Sequence, residues 1–229
     1  MSFPDDKKLD NPVWHSLSES HRDFAIDYKN IKFYHPDYCP FGGFEIPNDI
    51  SDSIDAYSLL ADSFFIVGEK PVLSDKLLLK NELICAQMIV SGKIQVEYKN
   101  AIVPLTQKDT KVLFDLVNLV QPGYFKEKTS LLGDYYGIFE EGQLVAVTGE
   151  RMKMDDFVEI SAVVTHPEHT GKGLAKQLVA HTANAIIKEG KTPYLHVVES
   201  NVGAIKLYEK LGFTTRRKIS FWHIAKLTT

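Results

Sequence analysis

The segment Glu-Ile-Ser-Ala-Val-Val-Thr-His-Pro-Glu-His-Thr-Gly-Lys-Gly-Leu-Ala, from Glu159 to Ala175, constrains the fold more than any other part of the chain. It reads as a buried strand, a short polar loop and a glycine pair that opens a helix. A glycine-rich helix start lets backbone N–H groups approach an anion, with the positive end of the helix dipole behind them. Removing the Cβ at Gly171 and Gly173 leaves room for a pyrophosphate against the main chain. Apolar side chains at Leu174, Ala175, Leu178, Val179, Ala183, Ile186 and Ile187 give the helix a stripe to bury on a sheet, so its N–H groups face outward. Gly-x-Gly alone is a weak signal, and a tight loop needing clearance reads the same way. Lys172 is a candidate phosphate contact or simply a solvated lysine. A Walker loop is excluded, because no Gly-Lys-Ser/Thr occurs. A dinucleotide fingerprint needs a third glycine where Ala175 stands and a strand that opens a βαβ unit.

The remaining patterns place this segment in a mixed α/β sandwich. Residues 104–120 carry helical apolar spacing and stop at Gln121-Pro122-Gly123. Residues 135–139 and 143–148, joined by Glu-Glu-Gly, read as a β-hairpin. A strand at 157–165, a helix at about 171–189, a strand at 192–198 and a helix at about 202–211 follow. Residues 213–227 offer two strands around Arg216-Arg217-Lys218. Signals upstream are weaker: a helix near 16–27, a turn-rich loop at 34–43, a short helix at 51–61, and strands at 63–67, 83–90 and 94–98. The expected division is a smaller α/β N-terminal domain over 1–100 and a second domain over 101–229.

At 229 residues with 44% apolar side chains, the chain can bury a substantial core. A net charge of −4 leaves no basic footprint for nucleic acid. Cys39 and Cys85 stand far apart without CxxC spacing, which argues against a zinc site or a disulfide framework and fits a reducing compartment. The first residues show no apolar signal core, and no run reaches the roughly 18 apolar residues of a membrane span. The expectation is a cytoplasmic protein with no metal, no membrane and no nucleic-acid partner.

Downstream of the glycine loop lies Asn201-Val-Gly-Ala-Ile-Lys-Leu-Tyr-Glu-Lys-Leu-Gly-Phe213. Together the two segments resemble the GNAT superfamily of acyl-CoA-dependent N-acyltransferases. The superfamily's cofactor motif, Arg/Gln-x-x-Gly-x-Gly/Ala, reads here Thr170-x-x-Gly173-x-Ala175. Its second marker is matched by Asn201, Ala204, Leu207, Tyr208, Lys210, Gly212 and Phe213. The wording of residues 145–213 is similar to the glycine-N-acyltransferase-like branch, and the resemblance covers 104–225. It implies a GNAT-type fold over the second domain, with the first domain a companion, in some members a decayed half of the same fold. Thr170 departs from the family's Arg or Gln and removes a strong donor near the pyrophosphate. The expected effect is a loss of about 1–2 kcal/mol in cofactor binding, partly offset by the threonine hydroxyl.

What the resemblance implies is transfer of an acyl group, most simply acetyl from acetyl-CoA, to a primary amine by direct attack in a ternary complex. An alkylamine titrates near ~10, so a base must take its proton. Glu159 falls where the superfamily's histone acetyltransferases carry their general-base glutamate. Inside an apolar strand, its pKa is expected to be raised. Glu150 is the rival, placed just past the end of the preceding strand. Tyr208 is implied as the acid that protonates the departing thiolate, although helical spacing also makes it a core aromatic. Asn201 reads as an N-cap and, by resemblance, a contact of the pantetheine arm. Val163, Val164 and Thr165 are implied to offer backbone groups to pantetheine. Thr170, Gly171, Lys172, Gly173, Leu174 and Ala175 are implied to hold the pyrophosphate. The alternatives are a non-catalytic acyl-CoA-binding sensor or scaffold, motivated by Thr170, and a structural interaction module. The amine acceptor, small molecule or protein, is left to the hairpin loops, the 122–132 segment and the first domain. Acyl chain length and oligomeric state are not written in these motifs.

Overall fold

A computed structural model describes residues 6–227. Residues 1–5 and 228–229, the outer ends of the two expected domains, lie outside the described residues. In chain order the elements are α1 (Pro12–Ser18), β1 (Ala25–Tyr28), β2 (Ile31–Tyr34), β3 (Phe41–Phe44), α2 (Ser51–Tyr57), β4 (Ser63–Val67), β5 (Leu77–Ile89), β6 (Val103–Pro104), α3 (Thr110–Val120), β7 (Tyr135–Glu140), β8 (Gln143–Lys153), β9 (Phe157–Thr165), α4 (Leu174–Lys188), β10 (Thr192–Val198), α5 (Val202–Lys210) and β11 (Thr214–Lys226).

The strands form one mixed sheet in the order β1-β2-β3-β4-β11-β5-β10-β9-β8-β7-β6. Its two parallel pairs are β3–β4 and β9–β10. Apart from the two-residue edge strand β6, which precedes α3, the two halves repeat one plan. A helix leads into three antiparallel strands, a second helix crosses over, and a fourth strand lies parallel to the third. The strand that follows each fourth strand then crosses to the other half. β5 pairs with β10, β11 pairs with β4, and the two exchanged strands pair with each other. The sheet therefore runs without a break across the expected boundary near residue 100.

Period-2 alternation puts helices on both faces. Phe157, Tyr194, Cys85 and Ile219 point into a core that holds α1 through Val13 and Leu17. Val158, Ile160, Leu195 and Val197 point the other way, onto Val179, Ala183 and Ile186 of α4 and Tyr208 of α5. Helix α3 buries Leu113, Leu116 and Val117 on β7, β8 and Val164. α2 packs Ile54 and Tyr57 on Phe33, Phe64 and Ile66.

Strands 157–165 and 192–198 match their sequence-derived bounds, and the helices at 174–188 and 202–210 match to within a few residues. Other expectations fail for identifiable reasons. The helix expected near 16–27 starts earlier, because Asn11 caps Trp14 N–H and Pro12 occupies the first turn. It then ends at Ser18, and Ala25–Tyr28 is a strand. The loop expected at 34–43 contains the start of β3. There Gly42 is a strand residue whose missing Cβ, which would lie 2.3 Å from Phe33 Cδ1, admits the Phe33 ring. Residues 94–98 alternate like a strand but have no strand partner. The Ile94 backbone bonds instead to the Asn184 side chain of α4 (2.8 Å for both bonds). Residues 214–226 form one long strand rather than two, paired with β5 along its length, with register irregularities between Thr215 and Arg217 and between His223 and Ile224. No helix of the described residues is long and apolar enough to cross a membrane.

Candidate active site

β9 and β10 are joined only through the pairs Phe157–Thr192, Val158–Pro193 and Glu159–Tyr194. Beyond them β9 stays with β8 and β10 stays with β5, so the sheet opens into a wedge. The divergence coincides with an irregularity in β9 opposite Val147–Gly149, where Ala162 adopts φ +50°. A bulge of this kind bends its strand and increases its twist. A cavity of about 440 Å³ occupies the wedge, walled by Ile160–Val163, Leu195–Val198 and the exposed turns of α5.

The glycine loop stands at the rim. Gly171 and Gly173 have φ +79° and +74°, a region costly for any residue with a Cβ, and a Cβ at either position would meet no protein atom within 4 Å. The first-turn N–H groups of α4 have no intrahelical acceptor by construction. Open backbone donors at a helix start fit a diphosphate. Among the sequence-derived contacts, Val163, Ala175 and Asn201 line the cavity. Thr165 and Val164 pair with Ala146 and Val147 of β8, and the Val164 side chain is in the α3 core. Leu174 is buried beneath its helix. Lys172 reaches Glu140 at 2.9 Å, which His169 also contacts at 2.9 Å, so its charge is already partnered. Thr170 Oγ1 donates to Pro167 O at 3.1 Å, so the proton expected to offset the missing arginine is committed locally.

Asn201 caps α5 by accepting from Ala204 N–H at 3.1 Å, as its sequence position implied. Tyr208 is at once a core aromatic and a cavity wall: its ring packs edge-on to Phe213, with centroids 6.0 Å apart. Burial pushes its phenol up to about 12, so it keeps its proton at neutral pH.

Glu159 behaves opposite to expectation. Burial alone would raise its pKa, but the Arg151 charge and hydrogen bonds from His196 and Arg151 outweigh that effect and bring it to about 2. Arg151 donates from Nε and Nη2 to the two carboxylate oxygens, both at 2.7 Å, and its guanidinium lies over the Phe41 ring at 4.6 Å. His196 Nδ1 is 2.8 Å from Glu159 Oε1. Gln87 fixes the histidine's other nitrogen. The Gln87 Oε1 accepts from Arg216 Nη1 at 3.1 Å, so its Nε2 donates to Leu9 O at 2.8 Å and to His196 Nε2 at 3.0 Å. This assignment makes His196 Nε2 an acceptor and places a ring proton on Nδ1, facing Glu159. Arg151 and His196 line the cavity and Glu159 sits behind them. Neither was picked out in the sequence. An arginine inside the apolar run of β8, and a histidine two residues after Tyr194, were the available signals.

Glu150 is also not where it was expected. It lies within β8, fully buried, with Oε2 accepting from Lys153 Nζ (2.7 Å) and Asp134 N–H (3.2 Å), while Oε1 has no partner. Oxygens of Asp134, Glu150 and Glu189 lie within 4.8 Å of one another, but Lys153 supplies a countercharge to this group.

A crystal structure of a GNAT-family protein from Novosphingobium aromaticivorans is 31% identical to this chain, covers 96% of it and 99% of its own length, and superposes with a TM-score of 0.86. The chain belongs to the GNAT superfamily. The sequence profile of the FR47-like protein family matches residues 135–222, which span the hairpin, glycine loop and α5. GCN5-related N-acetyltransferase folds from Kribbella flavida (12% identical, TM-score 0.62, 100% of this chain and 98% of the other) and Streptococcus suis (an acetyltransferase-like protein, 16%, 0.60, 94% and 92%) share the architecture. No curated protein sequence matches the chain significantly.

Proposed function

We propose that this GNAT protein moves the acetyl group of acetyl-CoA, or another short acyl group, to a primary amine by direct attack in a ternary complex. The observation that carries this reading is the wedge between β9 and β10. It runs from a rim of open backbone donors at Gly171–Ala175 to the Tyr208 phenol, a path suited to a diphosphate at one end and a thioester at the other. The free edges of β9 and β10 offer backbone groups to an extended pantetheine arm, as in strand addition.

Each residue role follows from its surroundings. Tyr208, protonated at neutral pH, donates to the sulfur as the carbon–sulfur bond breaks. Glu159 is assigned a positioning role: with both oxygens held by donors it is a poor base, and it fixes Arg151 and His196 at the cavity wall. His196 Nε2 is occupied by Gln87, so the amine proton leaves through solvent rather than directly to a side chain of this cluster. The glycine-N-acyltransferase-like branch is the closest reading of the motif wording at 145–213.

The test is a thermal-shift titration with acetyl-CoA, followed by thiol release across amine classes. Stabilisation of about 2.7 kcal/mol at 100-fold over Kd, with amine-dependent release, is expected. Stabilisation without release on any amine would favour the sensor reading that Thr170 motivates. No stabilisation at millimolar acetyl-CoA would remove both.

A further inference from the structure

Resting on that acyl-transfer reading, we propose that the acceptor is an amine with an aromatic or bulky aliphatic body and no second positive charge, seated against Phe41, Tyr124 and Phe221 beside the Arg151 guanidinium. Of the lining groups, Phe41, Cys85 and Phe221 belong to the core on the α1 face, whereas Tyr208 belongs to the core on the α4–α5 face. Arg151 lies over Phe41 at 4.6 Å, Phe41 and Phe221 stack edge-on at 5.4 Å, and Phe221 meets His196 at 5.3 Å. Tyr124 reaches the same group through Phe65, at 5.4 Å from it, and Phe65 is 5.8 Å from Phe41. Leu83 and Cys85 extend the apolar wall.

The charge pattern is as informative as the aromatics. Among the described residues, no aspartate or glutamate lines the cavity. Glu159, which lies against the lining residues Arg151 and His196, has both oxygens committed to them. A polyamine, an aminoglycoside or a lysine-rich peptide would bring a second ammonium into an apolar space beside a fixed guanidinium, with nothing to pair it.

Two assays separate this proposal from the one it rests on. In thiol release with acetyl-CoA, phenethylamine or tryptamine is expected to exceed spermidine and a lysyl peptide by about 100-fold in kcat/KM, the scale of an unpaired buried charge. In calorimetry without acetyl-CoA, N-acetylphenethylamine is expected to bind the wild type. Tyr124→Glu, at a half-exposed position, should weaken it about tenfold, while Tyr124→Phe leaves it unchanged. Faster turnover of spermidine or the lysyl peptide overturns the acceptor assignment and leaves acyl transfer standing. Absence of turnover on all amines, with the Tyr124-dependent binding present, sinks acyl transfer and supports the pocket assignment. Absence of N-acetylphenethylamine binding overturns the assignment whatever the turnover.

Discussion

Tyr208 and Arg151 each hold part of the core and each carry a proposed role at the cavity. Tyr208→Phe keeps the ring that packs on Phe213 and removes only the hydroxyl. Stability should change little, while kcat falls by about 10² or more, as expected for loss of a general acid. An unchanged kcat would take Tyr208 out of the mechanism. Arg151→Met strands the Glu159 carboxylate in the core and should cost about 3–5 kcal/mol in urea unfolding, whereas the double change Arg151→Met with Glu159→Leu should recover much of it. Because Glu159 is held near 2, no inflection from it should enter the kcat/KM profile between pH 5 and 9. The profile should instead rise with pH toward the acceptor's own pKa, since the uncharged amine is the form that both enters the cavity and reacts. A limb near 6 that disappears in Glu159→Gln would contradict this. The sequence named Tyr208 through its flanking motif. It could not reveal that Glu159 is paired, because Arg151 and His196 reach it from separate strands.

At the scale of elements, the glycine loop and the wedge were legible to different degrees. Phe157–Thr165 and Thr192–Val198 are apolar runs closed by turn residues, so their bounds could be read locally. Their divergence could not, because it depends on Ala162 and on which strand lies beside each. Residues 94–98 misled for a related reason: their alternating pattern is real, but the Ile94 backbone bonds to the Asn184 side chain of α4 instead of a strand. The loop makes its own prediction. Gly173→Ala forces a Cβ into a left-handed conformation at a cost of roughly 1–2 kcal/mol and places a methyl where the carrier's phosphates approach. Acetyl-CoA affinity should fall more than stability does, which calorimetry beside urea unfolding would separate. Equal losses in both would make the loop purely structural.

At the scale of the whole molecule, one titratable contact ties the first helix region to the loop that ends at Leu132. His21 bridges the Tyr34 hydroxyl (2.8 Å) and Leu132 O (2.9 Å), and burial lowers its pKa to about 4. A depressed histidine favours the fold in its neutral form. Its contribution is complete above the unfolded pKa of about 6.5 and is lost as pH falls through about 4, on the order of 3 kcal/mol. Urea midpoints should decline across that window, and His21→Gln should be less stable at pH 7 but decline less steeply. A parallel decline in both proteins would remove His21 from the acid response. The overall fold class was readable from the downstream motifs alone. The exchange of β5 and β11 was not, since nothing local to Leu77–Ile89 says that its neighbours lie more than a hundred residues away.

That exchange has a practical consequence for protein engineering. A fragment of residues 101–229 on its own would lack the strand that sits between β10 and β11 and should not hold its shape. Severing the chain at the exposed Ser91–Lys93 turn and co-expressing both pieces should instead restore the folded protein by complementation, because each piece carries the missing rung of the other.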